Sequence, residues 1–291
     1  MQELLHFYLQ TSAYTDLGLY ADFARSLPDD LYTLIRLQRR QIIHPAAFYT
    51  PGIRRQTDTV WGDMTCIPET RLQYEDDIFP TAQAVLHELL RRNPSYSEKR
   101  QAKDKAFVTC RGQALLLTAT LKAKGIPARV RSGYAGYIHD DGGYDDHWIT
   151  EYYDRDIGRW KLADADICGF ADVDVTDIPR EQFLTGGQAW LAMRSGALRP
   201  EQLRYAGGEQ GIQAAVMGLM FDFHALMGDE VHFLHRPRFL AEKGMVPDEG
   251  EARELDRLAR LLCEPDGNFA ALRELWETET KFRILSGGLN G

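Results

Sequence analysis

Along the first third of the chain, hydrophobic positions recur at three- and four-residue spacings. Leu17, Leu19, Phe23 and Leu27, then Leu31, Leu34, Ile35, Leu37 and Ile42, predict helices between about 16 and 43. Asp29 and Asp30, just after Pro28, sit where the second of these helices would start. The stretch YTPGIRRQTDTVWGDMTCIPETR then loses all periodicity and carries two prolines and two glycines, so a loop that covers part of the molecule is expected. FPTAQAVLHELLRR predicts a helix at 79–92, closed by Asn93-Pro94.

Past the charged segment SYSEKRQAKDKA the pattern changes. CRGQALLLTATLKAKG is an apolar helical run that ends at Gly125 and Pro127. ARVRSGYAGYI, HWITEYYD and RWKLADAD have the alternating, aromatic and β-branched character of strands. HDDGGYDD is expected as a loop, and DRDIGR as the turn joining the second and third strands. From about 178 the pattern returns to helix, in QFLTGGQAWLAMRSG, GIQAAVMGLMFDFHALMG, EARELDRLARLLCE and NFAALRELWETE. Helix, a short strand-rich centre and helix again make an α+β layout. The expected divisions are a mainly helical region at 1–94, a catalytic core at 95–177 and a helical region at 178–291, packed as one unit.

Composition narrows the function classes. The 291-residue chain has a formal net charge of -9, which argues against general nucleic-acid binding, since that needs a basic surface. No window approaches the roughly 18 apolar residues of a membrane span, and with no basic leader the expectation is a cytoplasmic protein. Four cysteines without a CxxC pair offer no zinc ribbon, and no metal or cofactor is expected. His232 and His235 would share a helical face, but without a third ligand they read as ordinary polar residues. Met217, Met220 and Met227 read as core packing, as do Leu255, Leu258 and Leu262.

Cys110 changes the picture. It stands at the front of a helix, where unpaired N–H groups and the helix dipole favour a thiolate, the reactive form of the side chain. Thr109 and Gly112 are small enough to admit a substrate carbonyl. His147 opens a predicted strand and Asp164 lies near the end of the next. A two-residue turn at 155–156 places these two directly opposite each other. A turn two residues longer leaves them diagonal on one face, whereas a shift of one residue separates them. In such a triad the thiol passes its proton to His147 and Asp164 orients the imidazole. Asp166, on the same face, competes with Asp164 for that role.

TCRGQALLLTATLKAKGIPARVRSGY, DHWITEYY and RWKLADAD, in this order, resemble the catalytic core of the transglutaminase-like superfamily of papain-type cysteine enzymes. The helical flanks, including IPREQFLTGGQAW, are similar to those of stand-alone bacterial members. The resemblance implies a cysteine-bearing helix packed on an antiparallel sheet, with Cys110 as nucleophile, His147 as general base and acid, and Asp164 as orienting acid. The Cys110 N–H is expected to be one oxyanion donor. Trp61 is the upstream tryptophan that stands for an oxyanion or substrate-binding residue, although it aligns to no family position. Asp104 and Lys105 stand where papain-type proteases place a glutamine, so the second donor is open.

The reaction expected is acyl transfer or amide hydrolysis through a Cys110 acyl-enzyme. Its substrate would be a peptide, a protein side-chain amide or a small acyl compound, with an amine as a second possible acceptor. The alternative is an inactive member that serves as a binding or scaffolding module. The acidic loop around Asp140, Asp141, Asp145 and Asp146 reads as solvated; if it rims the site it favours a cationic substrate.

Overall fold

The computed structural model describes residues 1–284. Its helices are α1 (Gln2–Leu9), α2 (Ala21–Arg25), α3 (Leu31–Arg39), α4 (Ala82–Arg92), α5 (Cys110–Ala123), α6 (Gly186–Ser195), α7 (Gly211–Leu226), α8 (Arg238–Ala241), α9 (Glu249–Cys263) and α10 (Phe269–Thr278). Its strands are β1 (Ile42–Ile43), β2 (Thr57–Asp58), β3 (Gly62–Asp63), β4 (Ala106–Phe107), β5 (Ala128–Ala135), β6 (Tyr144–Asp154), β7 (Arg159–Ala163), β8 (Phe183–Thr185) and β9 (Leu203–Arg204). The class is α+β. The main sheet has the order β7-β6-β5-β8, with β9 pairing to β6.

The chain forms two compact units, one of residues 8–128 and 149–178, the other of residues 1–7, 129–148 and 179–291.

In the first unit, the helix starts follow from side-chain capping. Asp30 accepts the Thr33 N–H at 2.8 Å and Thr81 accepts that of Ala84 at 3.1 Å, satisfying donors that a helix end leaves unpaired. Helix α5 is buried from Cys110 to Lys122, so its polar side chains, Gln113 and Thr118 among them, are buried with its apolar ones. It packs on the second half of β6, where Thr150 bonds Thr118 at 3.0 Å and the Ala114 carbonyl at 3.1 Å. The segment expected as a covering loop contains two short strands and two 3-10 turns. It buries Ile53, Trp61, Met64 and Ile67 against Ile43 and Phe107.

The β6–β7 turn is longer than two residues. Asp154 pairs with Arg159 and Thr150 with Ala163, so residues 155–158 form the turn. Gly158 adopts the left-handed φ of 68° that closes it, and its N–H returns to the Asp154 carbonyl at 2.9 Å. The register is that of the longer turn, and Asp164, one residue beyond Ala163, falls level with Ile149.

In the second unit, β5 pairs antiparallel with β8, and the start of β6 pairs parallel with β9. The first residues of the QFLTGGQAW stretch, expected as helix, form β8 instead: Phe183 is buried in the sheet and α6 starts only at Gly186. A β-carbon on Gly186 would stand 2.1 Å from the Gly218 carbonyl oxygen, so the glycine at 186 lets the start of α6 touch the α7 backbone. Arg131 and Asp222 form a fully buried, two-pronged ion pair beneath this contact, with both distances 2.8 Å. Met217, Met220 and Met227 are buried core residues.

Candidate active site

Cys110 is the first residue of α5 and is buried. The chain reaches it through β4, which pairs with β1, and Thr109, which has extended backbone. Residues 74–77 hold this approach in place. Glu75 donates its N–H to the Phe107 carbonyl at 2.8 Å and accepts the Phe107 N–H on Oε2 at 2.9 Å. Asp76 accepts the Thr109 N–H at 3.0 Å and the Thr109 hydroxyl at 2.7 Å. The Thr109 side chain is thus committed to Asp76. Gly112 makes room for Val108, whose β-carbon would lie 2.9 Å from a β-carbon at that position.

Burial pushes the Asp76 carboxyl up to about 6, against the opposing effect of the two Thr109 hydrogen bonds. The Tyr74 phenol is pushed above its ordinary value, first by burial and then by the negative charges of Asp76, Asp77 and Cys110. Tyr74 therefore lies within electrostatic reach of the thiol. Sequence reasoning passed over Tyr74–Asp77. An acidic run after a polar loop looks like solvated surface, and only the pairing with residues 107–109 shows otherwise.

Asp164 follows β7 and is buried. Its Oδ1 accepts the Asp166 N–H at 2.9 Å, and its own N–H bonds the Val175 carbonyl at 2.9 Å, which fixes the carboxylate against its backbone. Asp166 is engaged elsewhere. It accepts from Gln113 Nε2, one turn along α5 from Cys110, and lies 3.7 Å from His44 Nε2. Trp61 is buried, with its ring 4.2 Å from the Arg39 guanidinium and 4.9 Å from the Phe170 ring. Its described ring contacts are with these two and not with Cys110.

His147, in the other unit, is the fourth residue of β6 rather than its first, because the strand starts at Tyr144. It is buried, and its ring meets Tyr137 edge to face at 6.2 Å. The neighbouring Asp146 carboxyl is pushed up to about 7 by burial, in spite of the His147 charge beside it and the Ala206 N–H that it accepts at 2.9 Å. The acidic loop before it is not a bare negative rim. Arg204 bonds Asp145 through Nε and Nη2, both at 2.9 Å, and Asp141 at 2.7 Å through Nη1. One arginine thus offsets part of the charge of Asp141 and Asp145.

His232 and His235 lie in a turn and not on a helix. Among the described residues no three His, Cys, Asp or Glu side chains are grouped to hold a metal, and no helix is long and apolar enough to cross a membrane.

No curated protein matches the chain. A solved structure named "Putative Cysteine Protease from Cytophaga hutchinsonii" is similar at 17% identity and a TM-score of 0.33, over 60% of this chain and 43% of that one. The chain thus spans less than half the length of that relative. The model of the transglutaminase-like superfamily matches residues 73–165. The matched segment opens just before Tyr74, takes in Cys110 and His147 and closes just past Asp164: the chain carries a domain of the transglutaminase-like superfamily.

Proposed function

We propose that this protein is a cysteine-dependent acyltransferase or amidase in which Cys110 forms a covalent acyl-enzyme. The thiol gives its proton to His147 and its sulfur attacks the carbonyl of an amide or ester-like substrate. The tetrahedral intermediate collapses as His147 returns the proton to the leaving amine. Water or a second amine, deprotonated by the same imidazole, then releases the acyl group. Asp164 holds the imidazole in the productive tautomer. That Asp166 is bonded to Gln113 while Asp164 is braced by its own backbone favours Asp164 for this role.

The observation that carries the reading is the position of Cys110 as the first residue of a 14-residue buried helix. The first N–H groups of such a helix have no intrahelical acceptor, and the helix dipole adds partial positive charge, so a thiolate is stabilised there and an oxyanion can be bound. The substrate class is a peptide, a protein side-chain amide or a small acyl compound.

Iodoacetamide labelling followed against pH, cysteine by cysteine, tests this. Burial raises the Cys168 and Cys263 thiols above their ordinary value, so both should label slowly, which gives an internal reference. Cys110 should label fast well below pH ~8. A Cys110 rate no greater than that of an ordinary thiol would favour an inactive binding module instead.

A further inference from the structure

Arg39, the last residue of α3, is 2% exposed, and its Nη1 donates to the Ile42 carbonyl at 2.9 Å. Its Nε and Nη2 are also buried, and among the described residues neither has a hydrogen-bond partner. These two nitrogens form the edge of a guanidinium that grips both oxygens of a carboxylate. The same chain shows that edge filled, where Arg131 Nε and Nη2 meet the two oxygens of Asp222. A buried donor left without an acceptor is costly. An outside group that satisfied both at once would therefore bind with advantage.

The surroundings suit an anion. Arg39, Trp61 and Phe170 pack as a triangle, with the guanidinium 4.2 Å from one ring and 4.8 Å from the other. Phe170 is the outward member, 50% exposed. Lys105 Nζ bonds the Trp61 carbonyl at 2.8 Å, and Arg40 bonds the Val60 carbonyl at 2.9 Å, which brings two more cations to the Trp61 segment. The Lys105 amine is driven down to about 7, by burial first and then by the positive charge of Arg39 and Arg40. The acidic groups that act on Arg39 are Asp166, Cys168 and Asp164, and none of them bonds its open edge. Asp166 is instead bonded to Gln113, and Asp164 Oδ1 to backbone.

We propose that Arg39, walled by Trp61 and Phe170, is a carboxylate-binding subsite reached from solvent past Phe170, and that the acyl substrate carries a free carboxylate. The substrate half of this statement rests on the Cys110 reaction, and the binding half does not. Gln38 and Gln113 join the subsite to the reactive helix, since Gln38 Nε2 bonds the Gln113 carbonyl at 2.8 Å.

The test uses the full chain as its Cys110→Ala variant, labelled with nitrogen-15, so that no turnover intervenes. Titration with N-acetylalanine should shift the Arg39 Nε–H resonance saturably, while N-acetylalaninamide should leave it in place. Arg39→Lys removes that resonance, which assigns it, and should weaken binding of the acid by about tenfold or more, because a lysine cannot reproduce the two-pronged grip. Phe170→Ala, at a half-exposed position that does not threaten folding, should tighten binding several-fold by uncovering the guanidinium. No shift with the acid, an equal shift with the amide, or unchanged affinity in Phe170→Ala would each overturn the subsite. Equal turnover of acid- and amide-terminated substrates by the wild-type protein would overturn the substrate half alone. Failure of the Cys110 reading would show in thiol labelling and leave these titrations unchanged.

Discussion

The carboxylate of Asp76 accepts both the backbone N–H and the hydroxyl of Thr109, the residue immediately before Cys110. The start of α5 is thus held from outside the helix, by a segment more than thirty residues upstream. Truncation in Asp76→Ala strands two buried donors at about 1–3 kcal/mol each. Denaturant unfolding should show a loss of that order, and the Cys110 labelling rate should fall as the helix start loosens. Thr109→Val should reproduce the part of the loss that belongs to the hydroxyl.

Two raised carboxyls set the sign of the pH dependence. Asp76 at about 6 and Asp146 at about 7 both lie above the value of about 4 expected for an unfolded aspartate. Between those limits the folded state holds protons that the unfolded state has lost, so stability falls as pH rises from about 4 to 7. Urea midpoints measured across this window should decline. Asp76→Asn should flatten the lower part of the slope and Asp146→Asn the upper part. A midpoint that rises through the window in the wild-type protein would contradict both assignments. Carboxyls held low, such as Asp141 at about 2 beside Arg204, act below this range.

Pairing of the thiol with His147 predicts that His147→Ala shifts the Cys110 labelling profile to higher pH, since the thiolate loses its cationic partner. His147→Gln should do the same while preserving bulk. A profile that does not move in either variant would remove His147 from the reaction.

Arg131 and Asp222 are both buried, and each satisfies the other. Asp222→Ala removes the acceptor of both Arg131 donors and should cost about 3–5 kcal/mol in chemical denaturation. Replacing both residues with apolar ones of similar volume should recover most of that loss. A single variant no less stable than the wild-type protein would mean the pair contributes little.

Gly218 has the Tyr134 ring in the space a side chain would need, 2.4 Å from a β-carbon there. Gly218→Ala should therefore destabilise by about 1–3 kcal/mol, because an overfilled core must shift its neighbours. Differential scanning calorimetry of the variant measures it directly.

Much of this protein was legible in its residue pattern. The periodicity of α3, α4, α5, α7 and α9, the alternation of β5 to β7 and the placing of Cys110 at a helix start follow from local propensity and burial, which act over a few residues. The α+β class and the transglutaminase-like likeness were readable for the same reason: their motifs are contiguous. Turn length was less legible. DRDIGR admits a two- or a four-residue turn, and the Gly158 conformation together with the Asp154 pairing decided for four. FLT reads as helix by its neighbours, but it became a strand because β5 offered it a partner.

What only the tertiary structure decided is the role of residues whose partners are distant in the chain. Thr109 and Gly112 read as small neighbours of a reactive thiol; packing gave them to Asp76 and Val108. Asp141 and Asp145 read as bare charge until Arg204, about sixty residues later, was found between them. Trp61 and Arg39 carried no motif at all, and their contact is a consequence of which loop the core buried. A sequence states what each residue prefers within its own few neighbours. The pairing of charges, donors and rings across the fold depends on long-range closure, and that is settled only when the chain has packed.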